Sequence, residues 1–194
     1  MDVNDDCIIP TYTGFKVNLR NPDPATIDIR DIAHGLSCEA RFNGHTREFY
    51  SVAQHSVFVS HLVPKSRDYM LEALLHDATE AYMKDLPAPL KAILPEYKAI
   101  ETRLDRFIQA RFDIPPRCNG VLKFSDGLAV VYEALQLMPR PLVKDWPLVK
   151  EYMRGLEPIS WEFTASHWIP PLPPKEAEQL FIERCKELGI WEAQ

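Results

Sequence analysis

The residues best able to do chemistry stand close together in one stretch, where His76 is followed directly by Asp77 and then by Glu80 and Asp85. Imidazole and carboxylate side chains are both ligands of divalent transition metals. On a helix, adjacent side chains diverge by about 100°, so His76 and Asp77 could hold one ion from two directions. Glu80 would lie near both, because it follows them at i+4 and i+3. Two ligands are too few for a metal site, so other segments must supply the rest.

Two further polar residues could complete such a site. His55 lies in the preceding helical segment, and Asp126 lies in a later, mostly apolar one. Each has an ordinary explanation when taken alone: His55 as a surface or core histidine, and Asp126 as the partner of a nearby arginine. A carboxylate on an apolar helix is costly unless it is paired or binds a cation. The order His55, His76-Asp77, Asp126 on separate helices therefore predicts a site for Mn, Fe, Co, Ni or Zn, with positions left for water.

Apolar periodicity predicts a mainly helical domain that positions these residues. The segments with helical periodicity are 29–37, 51–62, 68–83, 96–112, 121–138 and 175–188, with one more short helix near 147–155. Asp28 or Asp31 would cap the first helix. The segment 68–83 carries the histidine–aspartate pair within one continuous helix. The segment 121–138 is apolar on nearly all sides, which predicts a central, buried helix.

The remaining segments are predicted to be extended or irregular. The stretch 13–19 alternates like a strand, and its first part could pair with 46–50 in a small β-ribbon. Prolines break residues 85–95 into turns. Residues 139–174 hold eight of the 17 prolines, which indicates a long ordered loop packed by tryptophans. The expected fold is therefore all-α, one domain of 194 residues with a small N-terminal β-ribbon.

Composition and charge limit the function classes. Hydrophobic residues make up 46% and charged residues 26% of the chain, an ordinary globular composition. The net charge of −6 disfavours wrapping a nucleic-acid backbone, but a local basic pocket for a small anion is compatible with it. The four cysteines show no CxxC spacing, which predicts reduced thiols in a cytoplasmic protein. The acidic N-terminus does not resemble a signal peptide, and no apolar run reaches the roughly 18 residues that span a membrane.

Three short stretches resemble the HD-domain metal-dependent phosphohydrolases. They are QHS at 54–56, LLHDATEAYMKDLPAPLK at 74–91 and SDGLA at 125–129. The match is closest to the branch that holds bacterial 5′-deoxynucleotidases and phage deoxyadenosine-triphosphate triphosphohydrolases, and a nucleotide phosphohydrolase of oxetanocin-A biosynthesis is also similar. The motifs cover residues 41–130, the spacing HDxxExxxxDxP is specific, and 139–194 carries no motif of the family.

The resemblance implies an HD-domain helical bundle that holds one metal ion, with its motifs in a core spanning 41–138. The implied metal ligands are His55, His76, Asp77 and Asp126. By the same resemblance, Glu80 would orient or deprotonate the attacking water, and Asp85 would lie near the sugar or the scissile phosphate. The implied reaction is the removal of phosphate from a purine deoxynucleotide or a close analogue by a metal-activated water.

The resemblance also implies substrate contacts. The family's Arg-Trp pair maps to Arg41-Phe42, so a contact through an indole N–H has no counterpart at Phe42. His45 and Lys84 lie beside the motifs and could contact phosphate. Arg41, Lys84 and Lys91 could neutralise the charge that develops on a transferring phosphoryl group, although a solvated surface position is the simpler interpretation of Lys91.

No histidine falls between His76 and Asp126, whereas dinuclear relatives carry extra histidines there. We therefore expect a mononuclear site, with any Mg²⁺ brought by the nucleotide phosphates. Three reactions stay open: hydrolysis of a 5′-monophosphate only, stepwise release of phosphates, or release of intact triphosphate. A nucleotide-sensing HD module without turnover is the non-enzymatic alternative. The expected partner is a small nucleotide, with no nucleic-acid polymer and no membrane, and a homodimer is left open.

Overall fold

The structure is a computed structural model that describes residues 7–114, 119–139, 143–155 and 158–191. The strands are β1 (Ile8–Pro10) and β2 (Lys16–Asn18). The helices are α1 (Ile29–Cys38), α2 (Val52–Leu62), α3 (Arg67–Leu74), α4 (Glu80–Met83), α5 (Ala88–Lys91), α6 (Pro95–Arg111), α7 (Asn119–Leu137), α8 (Pro147–Gly155), α9 (Pro158–Ser166) and α10 (Pro174–Glu187). The protein is mostly helical with one small N-terminal sheet, which confirms the expected fold class at this level.

Helix α2 lies at the centre of the packing, with α1, α3, α7 and α10 around it. Ser51 caps its first turn by accepting a hydrogen bond from the backbone N–H of Gln54 (3.2 Å), and the residues from Val52 to Ser60 are all buried. Polar side chains in this buried run hold neighbouring segments. The Gln54 amide, for example, bonds the backbone carbonyl of Pro170 and the backbone N–H of Leu172.

Helix α7 packs against one side of α2 and is not itself the central helix. Its Phe124 side chain is 53% exposed, whereas Ala129 and Val131 are fully buried. The prediction of a central helix at 121–138 is therefore wrong in position, although the helix itself is confirmed. Hydrophobicity alone pointed to the wrong helix, because α2 buries several polar side chains through specific hydrogen bonds.

The chain turns sharply at the histidine–aspartate pair. Helix α3 ends at Leu74 and α4 begins at Glu80, so the prediction of one continuous helix over 68–83 is wrong. The cause is local: His76 Nδ1 lies 2.8 Å from the carbonyl oxygen of Ala73, which a continuing helix would pair with the backbone N–H of Asp77. The side chain of His76 thus replaces a helical hydrogen bond and presents the pair on a turn.

The β-ribbon forms near the start of the chain, but with a different partner from the one predicted. Strand β1 pairs antiparallel with β2, with Ile9 opposite Val17. Gly14 adopts a positive φ of 91° in the connecting turn, which allows the chain to reverse there. The segment 46–50 is not paired with β2; instead Ala40 forms an isolated bridge with Ser51.

The proline-rich segments contain more helix than expected. Helix α8 confirms the short helix near 147–155, but α9 lies in what was predicted to be loop, and α5 lies among the predicted turns at 85–95. Each of these helices has a proline at its first or second position, where the missing N–H costs nothing. The aromatic packing is confirmed, since Trp161 and Trp168 lie with ring centroids 5.1 Å and 5.5 Å from that of Tyr132.

The other predicted helices are confirmed, including the cap of α1, where Asp28 accepts a hydrogen bond from the backbone N–H of Arg30. Cys7, Cys38 and Cys185 are free thiols, and Cys118 lies outside the described residues. Within the described ranges, none of the helices combines the length and the apolar character needed to cross a membrane.

Candidate metal centre

Three of the four predicted metal ligands, His55, His76 and Asp126, form one compact group, and Asp77 lies beside its two histidines. His55 comes from α2, His76 and Asp77 come from the turn after α3, and Asp126 comes from α7. The Nε2 atom of His55 lies 3.1 Å from Asp126 Oδ1 and 3.6 Å from Asp77 Oδ2. The Nε2 atom of His76 lies 3.1 Å from Asp77 Oδ2 and 3.9 Å from Asp126 Oδ1. The ligand atoms of His55, His76 and Asp126 all lie within 4.8 Å of one another, so this group could hold a metal ion.

Both histidines present the same nitrogen to this group. His76 Nδ1 donates to the carbonyl oxygen of Ala73 (2.8 Å), and His55 Nδ1 lies 2.7 Å from Glu133 Oε1. Because a carbonyl or carboxylate oxygen accepts, each Nδ1 carries a hydrogen, which leaves Nε2 as the nitrogen of each ring that could bind a metal ion. Both Nε2 atoms are buried and form no hydrogen bond of acceptable geometry with the described residues.

These separations fit a divalent metal. Ligands about 2.1 Å from one ion stand about 3.0–3.4 Å apart in octahedral or tetrahedral geometry, which is close to the shorter distances in this group. Histidine ligands of metals usually donate their other N–H to a carboxylate or a carbonyl oxygen. His55 and His76 each do so here. The buried, unpartnered Nε2 atoms and the two adjacent carboxylates therefore match what a transition metal requires.

The charges at the centre also favour a cation. Burial and Arg41 lower the pKa of His55, but the carboxylates of Glu133 and Asp126 raise it by more, to about 10. Burial raises the pKa of Asp77 and of Asp126, but the neighbouring histidines bring both below the usual carboxyl range. A positive charge is thus stabilised between these groups, and a bound divalent ion would take the place of the proton.

Glu133 is a component of the centre that the sequence analysis missed. Its side chain is fully buried on α7, with Oε1 against His55 and Oε2 3.4 Å from Nη2 of Arg41. It follows Asp126 by two helical turns and so lies on the same face of the helix. The reasoning applied to Asp126, that an acid on an apolar helix needs a partner, would have identified Glu133 as well.

Glu80 lies beside the centre, at the start of α4. Its Oε1 atom is 3.1 Å from Lys91 Nζ, whereas Oε2 is buried without a hydrogen-bond partner among the described residues. Burial raises the pKa of Glu80 to about 9, with further raising by Asp77 and Asp85, which outweighs the lowering by Lys91. A carboxyl with this pKa holds its proton at neutral pH, so Glu80 would act as a base only when a bound cation offsets the charges of Asp77 and Asp85 and lowers its pKa.

A cleft of about 250 Å³ opens next to these residues. The cleft is lined by the turn between α3 and α4, by the start of α4, by Lys91 and by polar residues of α6. These residues are His76, Asp77, Thr79, Glu80, Lys91, Glu101, Thr102 and Asp105. Lys91 bridges the two sides, since its ammonium also lies 2.8 Å from Glu101 Oε1. The cleft gives small molecules a route to the predicted ligands His76 and Asp77.

Sequence comparison with known proteins shows which family the chain belongs to. No established family's sequence model matches the chain. The chain is 38% identical to the uncharacterized protein YfdR of Escherichia coli K12 over 185 residues, which cover 93% of this chain and 95% of YfdR. The chain belongs to the YfdR family. It is also 39% identical to the uncharacterized protein RCAP_rcc00048 of Rhodobacter capsulatus over 137 residues, or 64% of this chain and 70% of that protein.

In this member of the YfdR family, the predicted substrate residue Arg41 is held in ion pairs. Its Nη1 atom lies 3.9 Å from Asp85 Oδ2, and Nη2 contacts Glu133. Burial raises the pKa of Asp85, although Arg41 works in the other direction. Phe42 packs edge-on against Trp146, with 6.4 Å between ring centroids. Arg41 therefore links Asp85 to Glu133, which contacts His55.

The remaining predicted contacts divide into two groups. Lys91 lies at the cleft with its side chain 25% exposed, so its interpretation as a solvated surface lysine is wrong. The Lys84 side chain is 64% exposed and pairs with Glu39 at 2.5 Å. His45 is exposed in the loop that follows Arg41. The fold thus brings Lys91 to the acidic groups of the centre and leaves Lys84 and His45 on the surface.

Proposed function

We propose that this chain is a metal-dependent phosphohydrolase that removes phosphate from a nucleotide. The observation that carries the proposal is the pair of buried Nε2 atoms, on His55 and His76, that lie 3.1 Å from carboxylate oxygens of Asp126 and Asp77 respectively. The resemblance of the HD motifs to phosphohydrolases supplies the reaction class. The YfdR relatives carry no activity in their names and do not bear on this choice.

The donor set favours a borderline divalent metal such as Co²⁺, Mn²⁺, Fe²⁺, Ni²⁺ or Zn²⁺. Two neutral imidazoles and two carboxylates would balance the charge of such an ion. Glu133 and the Ala73 carbonyl would hold the two imidazoles in the tautomer that binds. When bound, the ion would make a water molecule nucleophilic at neutral pH and polarise a phosphoryl oxygen.

Glu80 is the proposed general base. In hydrolysis, the oxygen of water attacks phosphorus, the bond from phosphorus to the leaving oxygen breaks, and the water loses a proton. The Oε2 atom of Glu80, which is buried and has no partner in the described part of the chain, would accept that proton and pass it to the leaving oxygen. Lys91, at 3.1 Å from Oε1, would act together with the bound ion to lower the pKa of Glu80 and so keep it ionised.

Arg41, Asp85 and Lys91 are the proposed substrate-side residues. Arg41 and Lys91 would offset negative charge on the phosphate, and Asp85 would accept a hydrogen bond from the sugar. The cleft nevertheless contains more carboxylates than amines, because Glu101 and Asp105 line it as well. We therefore propose that a nucleotide di- or triphosphate enters with Mg²⁺ on its phosphates.

The test is to incubate the purified chain with Co²⁺ or Mn²⁺ and with dAMP, dADP or dATP, and to resolve the products. Phosphate from dAMP alone would identify a monophosphatase, stepwise products a general phosphohydrolase, and inorganic triphosphate a triphosphohydrolase. Asp77→Ala should lose both bound metal and activity. Release of no phosphate from any nucleotide with either metal would remove the proposal, and nucleotide binding without release would favour a sensing module.

A further inference from the structure

A second cavity, of about 240 Å³, lies where α1, α3 and α6 meet the segment that follows α10. Among the described residues, it shares none of its lining with the cleft at the metal centre. Three arginines from three different helices line it: Arg30, Arg67 and Arg111. The chain carries a net charge of −6, so this local concentration of guanidinium groups runs against the overall charge.

Each of the three guanidinium groups is anchored by the fold. Arg67 Nε donates to the carbonyl oxygen of Leu188 (3.0 Å). The Arg111 Cζ atom lies over the ring of Phe112, 5.4 Å from its centroid, in a cation–π contact. Arg30 donates to Asp28 through Nε and Nη2. A ligand would therefore meet groups that are already oriented, which reduces the entropy lost on binding.

The acids of this cavity do not balance its arginines. Asp28 and Asp113 are the carboxylates in the described lining. The hydrogen bond from Arg30 is the main cause that lowers the pKa of Asp28, and Arg111 lowers it further. Asp28 is thus already shared between two guanidinium groups. Three cations and two anions leave one positive charge in excess among the described groups.

We propose that this cavity binds a phosphate group, either as inorganic phosphate or as the phosphate of a small ester. A planar carboxylate is matched by one or two guanidinium groups, whereas three arginines approaching from three helices suit a tetrahedral oxyanion. The ligand would link α1, α3 and α6 with the C-terminal segment. Because no described residue is shared with the metal centre, the proposal does not depend on the proposed hydrolysis.

The test measures binding of inorganic phosphate to the full chain, as purified, by isothermal titration calorimetry. We expect a saturable site that weakens about tenfold or more in Arg111→Gln and in Arg67→Gln, since each loses a charge-assisted hydrogen bond. Arg154→Gln, on the exposed end of α8, removes the same charge elsewhere and should bind as the wild type does. Arg111→Gln removes no hydrogen bond to the fold in the described structure, so it stays informative if Arg67→Gln unfolds.

Two further ligands, glycerol phosphate and succinate, show which kind of anion the cavity binds. A tighter site for glycerol phosphate than for inorganic phosphate would identify an ester as the ligand, and the reverse order would identify the free ion. Either result supports a phosphate site if Arg111→Gln weakens it. Equal binding of phosphate by Arg111→Gln and Arg154→Gln would overturn the proposal, as would equal affinity for succinate. Nucleotide hydrolysis is not used as a readout, so failure of one proposal leaves the other standing.

Discussion

His55 and Glu133 meet inside the protein, with 2.7 Å between Nδ1 and Oε1 and with both side chains completely buried. The contact places a hydrogen on Nδ1 of His55 and leaves its Nε2 facing the other candidate metal ligands. Glu133 also contacts Arg41, which in turn reaches Asp85. A chain of ion pairs therefore runs from His55, a candidate metal ligand, to Asp85.

Replacing Glu133 by Gln should weaken metal binding about 10- to 100-fold, since carboxylates behind histidine ligands raise their basicity and fix their orientation. Gln keeps the volume and an acceptor oxygen, so the loss reports the charge. The measurement is competition for Co²⁺ or Zn²⁺ against a chelator of known affinity. Glu162→Gln, at an exposed position on α9, is the matched control. Equal metal affinity of the two variants would show that Glu133 does not support His55.

Replacing Glu80 by Gln should leave the metal content unchanged and lower the rate of nucleotide hydrolysis about 10²- to 10⁴-fold, the usual contribution of a general base. Gln can still accept a hydrogen bond from Lys91, so the local structure is preserved. Glu101→Gln is the control, because Glu101 also pairs with Lys91 but is not a metal neighbour. A similar loss in both variants would assign the effect to Lys91 rather than to proton transfer.

The residue types of the centre could be predicted from sequence, but its local geometry could not. Asp126 stands out because a carboxylate on an apolar helix needs a partner, and His55 stands out through its position before the His76-Asp77 pair on a separate helix. The turn that carries His76 depends on a single hydrogen bond to Ala73, which periodicity does not reveal. The ion pairs of Arg41 join residues far apart in the chain, so only the folded structure shows that this arginine connects Glu133 to Asp85.

Gly35 allows α1 to pack directly against α4, the helix that begins with Glu80. A Cβ atom built on Gly35 would lie 2.9 Å from Ala81 Cβ and 3.0 Å from its backbone Cα and carbonyl oxygen. Backbone atoms cannot rotate away, so Gly35→Ala should destabilise the fold by about 1–3 kcal/mol through overpacking. The gain in helix propensity of about 1 kcal/mol offsets only part of this cost.

The measurement for Gly35→Ala is the free energy of unfolding in urea. Gly120→Ala is the matched control, because Gly120 also lies in a helix and a Cβ there would meet no atom of the described residues within 4 Å. We expect the control to be neutral or slightly more stable. If Gly35→Ala were as stable as Gly120→Ala, the close approach of α1 and α4 would be contradicted.

The packing around α1 shows why the helices were easier to predict than their arrangement. Asp28 and the apolar spacing of α1 are local signals. The contact of Gly35 with Ala81 and the central position of α2 depend on which surfaces meet. Buried polar residues such as Gln54, which binds the 170–172 segment, made α2 look less central than α7 in sequence. Local sequence signals were therefore enough to predict the helices, whereas the arrangement of the helices depends on contacts between distant residues.

His61, at the end of α2, should make the protein less stable at acidic pH. Burial lowers its pKa to about 4 from the ordinary value of 6.5, helped by Arg184 and His167 and opposed by Glu187. Between these pH values the unfolded chain binds the proton and the folded chain does not, so the free energy of unfolding falls as pH decreases from 6.5 to 4. In urea titrations across this window, His61→Gln should flatten the slope, and His45→Gln, at an exposed position, should leave it unchanged. An equal slope in wild type and His61→Gln would assign the acid sensitivity to other groups.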